Sequence, residues 1–126
     1  MTIEEVLCAQ LIAGVASVSS RVYPVRAPQD VTYPFLTYHQ VSEVTPHAFG
    51  VDVNALQARW QINCWGKTYG VAKVAADQVS TALSRYRATV SGLQVLDVFK
   101  DVELDLFDTE ALAYHIAVDF LVMHRN

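Results

Sequence analysis

A chain of 126 residues, 52% apolar and 17% charged, has the size and mix of one globular domain spanning 1–126, and it excludes disorder. Its net charge of −4 opposes a nucleic-acid coat or an anionic membrane surface as partner. No run approaches the roughly 18 apolar residues of a membrane-spanning helix, and the acidic start Met1-Thr2-Ile3-Glu4-Glu5 lacks a basic n-region, so no secretory signal is expected.

Thr2 and Glu5 have capping-box spacing and predict a helix start. Ile3, Val6, Leu7, Leu11, Gly14 and Val15 give it an amphipathic stripe that fades near Ser17 to Ser20. Arg21 to Pro34 is a connector in which Pro24 and Pro28 forbid a central strand, although Val22 and Tyr23 can form a short extended piece. Phe35 to Val44 alternates and predicts a strand whose two rows are both mixed. Thr45 to Asn54, punctuated by Pro46 and Gly50, is longer than a tight hairpin needs. Its apolar residues Phe49 and Val51 fit a projecting arm, or a loop folded back on the sheet.

Ala55 to Leu83 reads as strand, turn and helix. Leu56, Ala58, Trp60, Ile62 and Cys64 alternate with Gln57, Arg59, Gln61, Asn63 and Trp65, so one row is apolar. Gly66-Lys67-Thr68 breaks the strand. Val71, Val74, Ala75, Val79, Ala82 and Leu83 then follow a helical stripe. Ser91-Gly92 is a turn, and Leu93 to Phe107 a long strand with Val98, Val102, Leu104 and Leu106 on one side. The opposite row holds Asp97, Asp101, Glu103 and Asp105. Asp108-Thr109-Glu110 turns the chain into the last strand, where Leu112, Tyr114, Ile116, Val118, Phe120 and Val122 alternate with a second, nearly apolar row; that composition predicts a central strand. The expected fold is α+β, in the order α-β-β-α-β-β: a four-stranded, mainly antiparallel sheet with two helices on one face.

Chemistry-bearing patterns are sparse. His39, His47, His115 and His124 have no metal-ligand spacing. Cys8 and Cys64 form no CxxC and read as reduced, buried thiols; Cys64 shares the apolar row with Trp60, where burial makes a thiol inert. The carboxylates Asp101, Glu103 and Asp105 recur at every second position, as on a solvated strand face; acid–base work would require environments that push their pKa values apart. There is no GxSxG elbow, no phosphate loop and no RNA-binding aromatic row. The residues therefore point to no catalytic site and no cofactor.

Four stretches carry a family resemblance. Arg21-Val22-Tyr23-Pro24 follows the first helix, and Tyr33-Pro34-Phe35-Leu36-Thr37-Tyr38 opens a strand. Ala58-Arg59-Trp60-Gln61-Ile62-Asn63-Cys64-Trp65 leads through Tyr69 and Ala72 into a helix, and the chain closes on a strand from Tyr114 to Arg125. In this order they resemble the tail-completion family of long-tailed bacteriophages and prophages, which is similar to tail terminators, or tail-to-head joining proteins. The resemblance implies a virion structural protein of the tail or neck, made in the host cytoplasm. It further implies a homo-oligomeric ring, commonly a hexamer, that caps the tail tube and meets the head connector, without a catalytic residue. The arm residues His47, Phe49, Gly50, Val51 and Asp52 are the candidate partner contacts. Within such a ring, DNA must pass without being held, and Asp101, Glu103 and Asp105 are candidates for an acidic channel wall. The competing reading is a small cytoplasmic enzyme or ligand-binding domain, which a deep pocket with convergent polar side chains would favour.

Overall fold

The computed structural model describes residues 2–44, 47–48, 51–52 and 55–125. Helix α1 (Ile3–Gly14) starts at the capping box: Glu5 N–H donates to Thr2 Oγ1 and Thr2 N–H to the Glu5 carboxylate, both at 3.3 Å. It buries Ile3, Val6, Leu7 and Leu11. A 3-10 turn at Ala16–Val18 then leads into strand β1 (Val22–Pro24). Strand β2 (Phe35–Val44) and strand β5 (Leu56–Gly66) form a long hairpin, and between them β3 (His47–Ala48) pairs with β4 (Val51–Asp52). Helix α2 (Tyr69–Leu83) is capped by Thr68, whose hydroxyl accepts from Val71 N–H. Strands β6 (Ala88–Val90), β7 (Leu93–Asp108) and β8 (Ala113–Arg125) complete the chain.

The sheet has six strands in the order β1-β2-β5-β8-β7-β6. It is mixed, because β1 runs parallel to β2 while the other pairs are antiparallel. This corrects the expected four-stranded, mainly antiparallel sheet. The two additional strands have three residues each, too short for alternation to register. Pro24 excludes only a central position, and β1 lies at the edge, where a missing N–H costs nothing. β6 enters through a two-residue turn at Ser91 and Gly92, both with positive φ (48° and 85°), which is the hairpin geometry favoured by Gly. Ala88-Thr89-Val90 and Leu93-Gln94-Val95 flanking Ser91-Gly92 carried that signal.

The core lies between the helices and one sheet face. Leu36 and Tyr38 of β2, Ala58, Trp60, Ile62 and Cys64 of β5, and Ile116, Val118, Phe120 and Val122 of β8 all join it. α2 presents a different face from the one its valines suggest. Ala72, Ala75, Ala76, Val79 and Leu83 are buried, whereas Val71 and Val74 are exposed. The chain is tight where β5 turns into this helix, since a Cβ at Gly66 would fall 2.8 Å from Ala72 N. The helices are equally close to one another, since a Cβ at Gly14 would lie 2.6 Å from that of Ala82. Two glutamines that interrupt the apolar stripes lock this contact. Gln10 Nε2 donates to the Ala82 carbonyl at 3.0 Å, and Gln78 Oε1 accepts from Ser17 Oγ at 2.7 Å and from Ser17 N–H.

Strand β7 does not keep one alternation along its length. Register shifts fall between Val95 and Asp97 and between Lys100 and Val102. Each bulge inserts a residue, and a one-residue slip exchanges the faces. Val98 pairs with buried Val122, but Val102, Leu104 and Leu106 pair with Asp119, Ala117 and His115 on the face away from the helices. The single apolar row expected for Val98, Val102, Leu104 and Leu106 is therefore divided between the two faces.

Candidate interaction surfaces

The Thr45–Asn54 segment joins the two strands of the β2–β5 hairpin, whose last described pair is Val44 with Gln57. Beyond it, His47 pairs with Asp52 and Ala48 with Val51 in the β3–β4 ladder. Of the arm residues singled out as partner contacts, His47, Val51 and Asp52 thus lie on this ladder, while Phe49 and Gly50 lie outside the described residues.

The three carboxylates of β7 do not form one wall. The bulge after Lys100 leaves Asp101 with Arg59 on the outer face, at 2.6 Å, where Arg59 also approaches Asp119 at 3.6 Å. Glu103 and Asp105 turn to the helix face, where Lys73 of α2 reaches both, at 2.8 and 3.0 Å. Lys100 adds a second bond to Glu103, and the Tyr69 hydroxyl donates to Asp105 at 2.7 Å. The Lys73 and Lys100 ammonium groups hold Glu103 below the usual carboxylate range. The Tyr69 hydrogen bond, followed by Lys73, does the same for Asp105. These are ionised, partnered carboxylates with the same direction of shift, not an acid–base pair.

The outer sheet face, away from the helices, carries an aromatic row. Phe35, Trp65, His115 and Leu106 are cross-strand neighbours on β2, β5, β8 and β7. Phe35 stacks on Trp65 with centroids 5.8 Å apart, and Trp65 on His115 at 4.2 Å. Trp65 Nε1 donates to Thr37 Oγ1 at 3.2 Å. At the β2 end, Tyr23 and Tyr33 pack on Phe35, and a groove of roughly 220 Å³ opens between these rings and the connector residues Val25, Pro28 and Val31. At the β7 end the row runs out into Leu104 and Leu106, 51% and 44% exposed. Phe35, Trp65, Leu106 and His115 each lie on the strand expected from local alternation. Alternation could not align them across four strands, because register depends on bulges and turns rather than on composition.

Chemistry-bearing side chains are scattered. His39 and His115 lie on the outer face and His124 is buried on the helix face; among the described residues no three His, Cys, Asp or Glu side chains converge as metal ligands. Burial pushes the Cys64 thiol well up, away from reactivity. His124 has neither ring nitrogen hydrogen-bonded, and burial lowers its pKa. A cavity of roughly 260 Å³ beside it, lined by Thr2, Glu4, Gln40 and Glu43, lies between the first turn of α1 and the arm end of the sheet.

Comparison with known proteins agrees with this picture of a domain built from surfaces. The chain is similar in fold to a chain of the virion of a native gene transfer agent particle, with a TM-score of 0.72 and 20% sequence identity over 95% of this chain and 92% of that one. No match was found among the curated proteins. The family model described as tail completion protein gp17 matches residues 6–125, nearly the whole chain. The chain therefore belongs to the tail completion protein gp17 family, and is a bacteriophage structural protein of the virion tail or neck.

Proposed function

We propose that the chain is one subunit of a closed homo-oligomeric ring, six-fold in the assembled particle, that terminates the tail tube and joins it to the head connector. The observation that carries this reading is the β7 margin of the outer sheet face, where among the described residues Val102, Leu104 and Leu106 stand exposed. Both helices pack on the other face; on the outer face the connector lies beside buried Phe35 and half-buried Trp65, whereas Val102, Leu104 and Leu106 remain exposed. A sheet face of this kind is completed by another protein layer. The segment from Thr45 to Asn54, with His47, Phe49, Gly50, Val51 and Asp52, joins β2 to β5 and engages the tail tube protein or the connector. DNA passes through the ring without specific contact: the chain is net acidic, and the bases Arg59, Lys73 and Lys100 are already paired with carboxylates. The subunit's work is positional, with neither a catalytic step nor a cofactor.

The test is native mass spectrometry of the chain bound to purified tail tubes, with imaging of the tube ends. The expected result is six copies forming a ring at one end of each tube, and headless tails with uneven ends when the chain is withheld. A single bound copy, or tubes that join heads normally without it, would overturn the reading.

A further inference from the structure

The two lateral margins of the sheet differ in shape and in charge. The first is β7. β6 covers it from Leu93 to Val95 and Arg85 N–H donates to the Val98 carbonyl, so among the described residues the stretch beyond Phe99 is a sheet edge. There Leu104 and Leu106 project from the outer face, and Phe107, also exposed, from the other. Asp101, Glu103, Asp105 and Asp108 crowd this margin against Lys73 and Lys100. The second margin is the connector beside β1 and β2. It holds the groove between Val25, Pro28 and Val31 and the rings of Tyr33 and Phe35. Arg26 is exposed there, Arg21 Nε donates to the Pro34 carbonyl, and Lys67 sits 4.4 Å over the Tyr33 ring, with Asp30 in the connector and Glu110 beside Ala111, which also lines the groove.

We infer that these margins are the two halves of one subunit seam: Leu104 and Leu106 of one copy seat in the Val25–Phe35 groove of the next. The inference rests on the ring reading above and names the surface that closes it. Three features support a second copy as the occupant. The apolar ridge, its flanking carboxylates largely offset by Lys73, Lys100 and Arg59, and the apolar groove flanked by Arg26 and Lys67 are complementary in shape, with a small residual charge of opposite sign. They stand at opposite margins of a single sheet, so each copy offers a ridge to one neighbour and a groove to the other. Contact between two different patches is also what propagates into a ring, whereas a self-complementary patch stops at a dimer. The charges and the Lys100 bulge on β7 blunt simple strand addition. The seam is therefore made by side chains of the outer face and not by extending the sheet. In this arrangement Asp101, Glu103 and Asp105 belong to the seam and not to the channel.

The experiment places a photoreactive residue in the ridge, Leu106→p-benzoylphenylalanine, in a mixture of isotopically light and heavy chains assembled on tail tubes. Irradiation should join position 106 of one copy to a peptide within residues 24–34 of another, and mixed-isotope products prove that the link is intermolecular. Leu106→Asp and Arg26→Glu should each lower ring occupancy at least tenfold while leaving thermal melting of the dilute monomer unchanged, because both side chains are exposed. Should either variant fail to fold, the cross-link alone decides. Rings that form normally but cross-link only ridge to ridge, to the tube protein, or nowhere would overturn the seam and leave the ring standing. Absence of rings by native mass spectrometry of the unmodified chain would overturn the ring, and the seam with it.

Discussion

Replacing each tryptophan of β5 separates the two faces of the sheet energetically. Trp60 is 2% exposed and packs in the core near Tyr38, with its indole Nε1 unpartnered. A buried Trp removes about 200 Å² from water, worth roughly 5 kcal/mol at about 25 cal/mol per Å². Truncation to Ala adds a cavity term of about 1–2 kcal/mol, because the surrounding structure relaxes only partly. Losing an orphaned donor returns about 1–2 kcal/mol. The net cost of Trp60→Ala is therefore about 5 kcal/mol. Trp65 is half-buried on the outer face, so the same area argument gives about 2–3 kcal/mol, and its hydrogen bond to Thr37 adds about 1 kcal/mol. Water fills the space that Trp65 leaves, so no cavity term applies, and the total is about 3 kcal/mol. Trp60→Phe discriminates further: it keeps most of the packing and deletes the orphaned N–H, so it should be nearly neutral. Urea denaturation of the three variants, followed by far-ultraviolet circular dichroism, measures these differences. Equal losses at the two positions, a larger loss at Trp65, or a Trp60→Phe cost as large as Trp60→Ala would refute the reasoning.

Gly14→Ala should destabilise the domain by about 1–3 kcal/mol despite the better helix propensity of Ala, because the new methyl meets Ala82; the urea midpoint should fall with an unchanged slope. His124 and His115 are held neutral by burial, with folded-state pKa values below the ordinary 6.5. The unfolded chain therefore binds more protons as pH drops, so stability is highest above pH 6.5 and is lost as pH falls through the depressed folded values. His124→Phe removes two unpartnered ring nitrogens, should raise stability by about 1 kcal/mol near neutral pH, and should flatten part of that slope, as read from urea midpoints at pH 7.5 and 5.5. Replacing Thr45–Asn54 by a short Asn-Gly hairpin should leave the melting temperature of the domain intact, since β2 and β5 are paired up to Val44 and Gln57, yet abolish capture of the chain by tail tubes in a pull-down.

What could be read from the residues, and what could not, follows a physical division. The capping box at Thr2 and Glu5, the apolar row of β5 and the central place of β8 depend on local pattern, and each is visible in a window of a dozen residues. The number of strands was not legible, because β1 and β6 are three residues long and exist only by pairing with β2 and β7. The buried face of α2 was misread as well. Hydrophobicity favours Val71 and Val74, but Ala72, Ala75 and Ala76 are the residues buried. The candidate surfaces divide in the same way. The overlong connection from Thr45 to Asn54 was visible in the sequence, whereas the ridge and groove require the registers of β2, β5, β7 and β8 to be known together.

The Lys100 bulge shows how one residue converts a sequence pattern into a surface. Without it, strict alternation would place Val102, Leu104 and Leu106 on the same face as Val98, against the helices, and the acidic row together on the other. That arrangement would bury the aliphatics and leave a uniform acidic wall. The inserted residue reverses both outcomes. Glu103 and Asp105 move to the helix face, where Lys73 of α2 and Lys100 neutralise them, and Asp101 falls to Arg59 outside. The three aliphatics move to the outer face, where Leu106 falls in line with the row that begins at Phe35. Burying two leucines within the domain would contribute about 2 kcal/mol each. A monomer that forgoes this and keeps a bulge in its longest strand is under-stabilised alone, and the same aliphatic area becomes available for association. The domain should therefore gain stability on assembly in proportion to the ridge that is covered. Its unfolding midpoint should rise with protein concentration, and this dependence should vanish in Leu106→Asp.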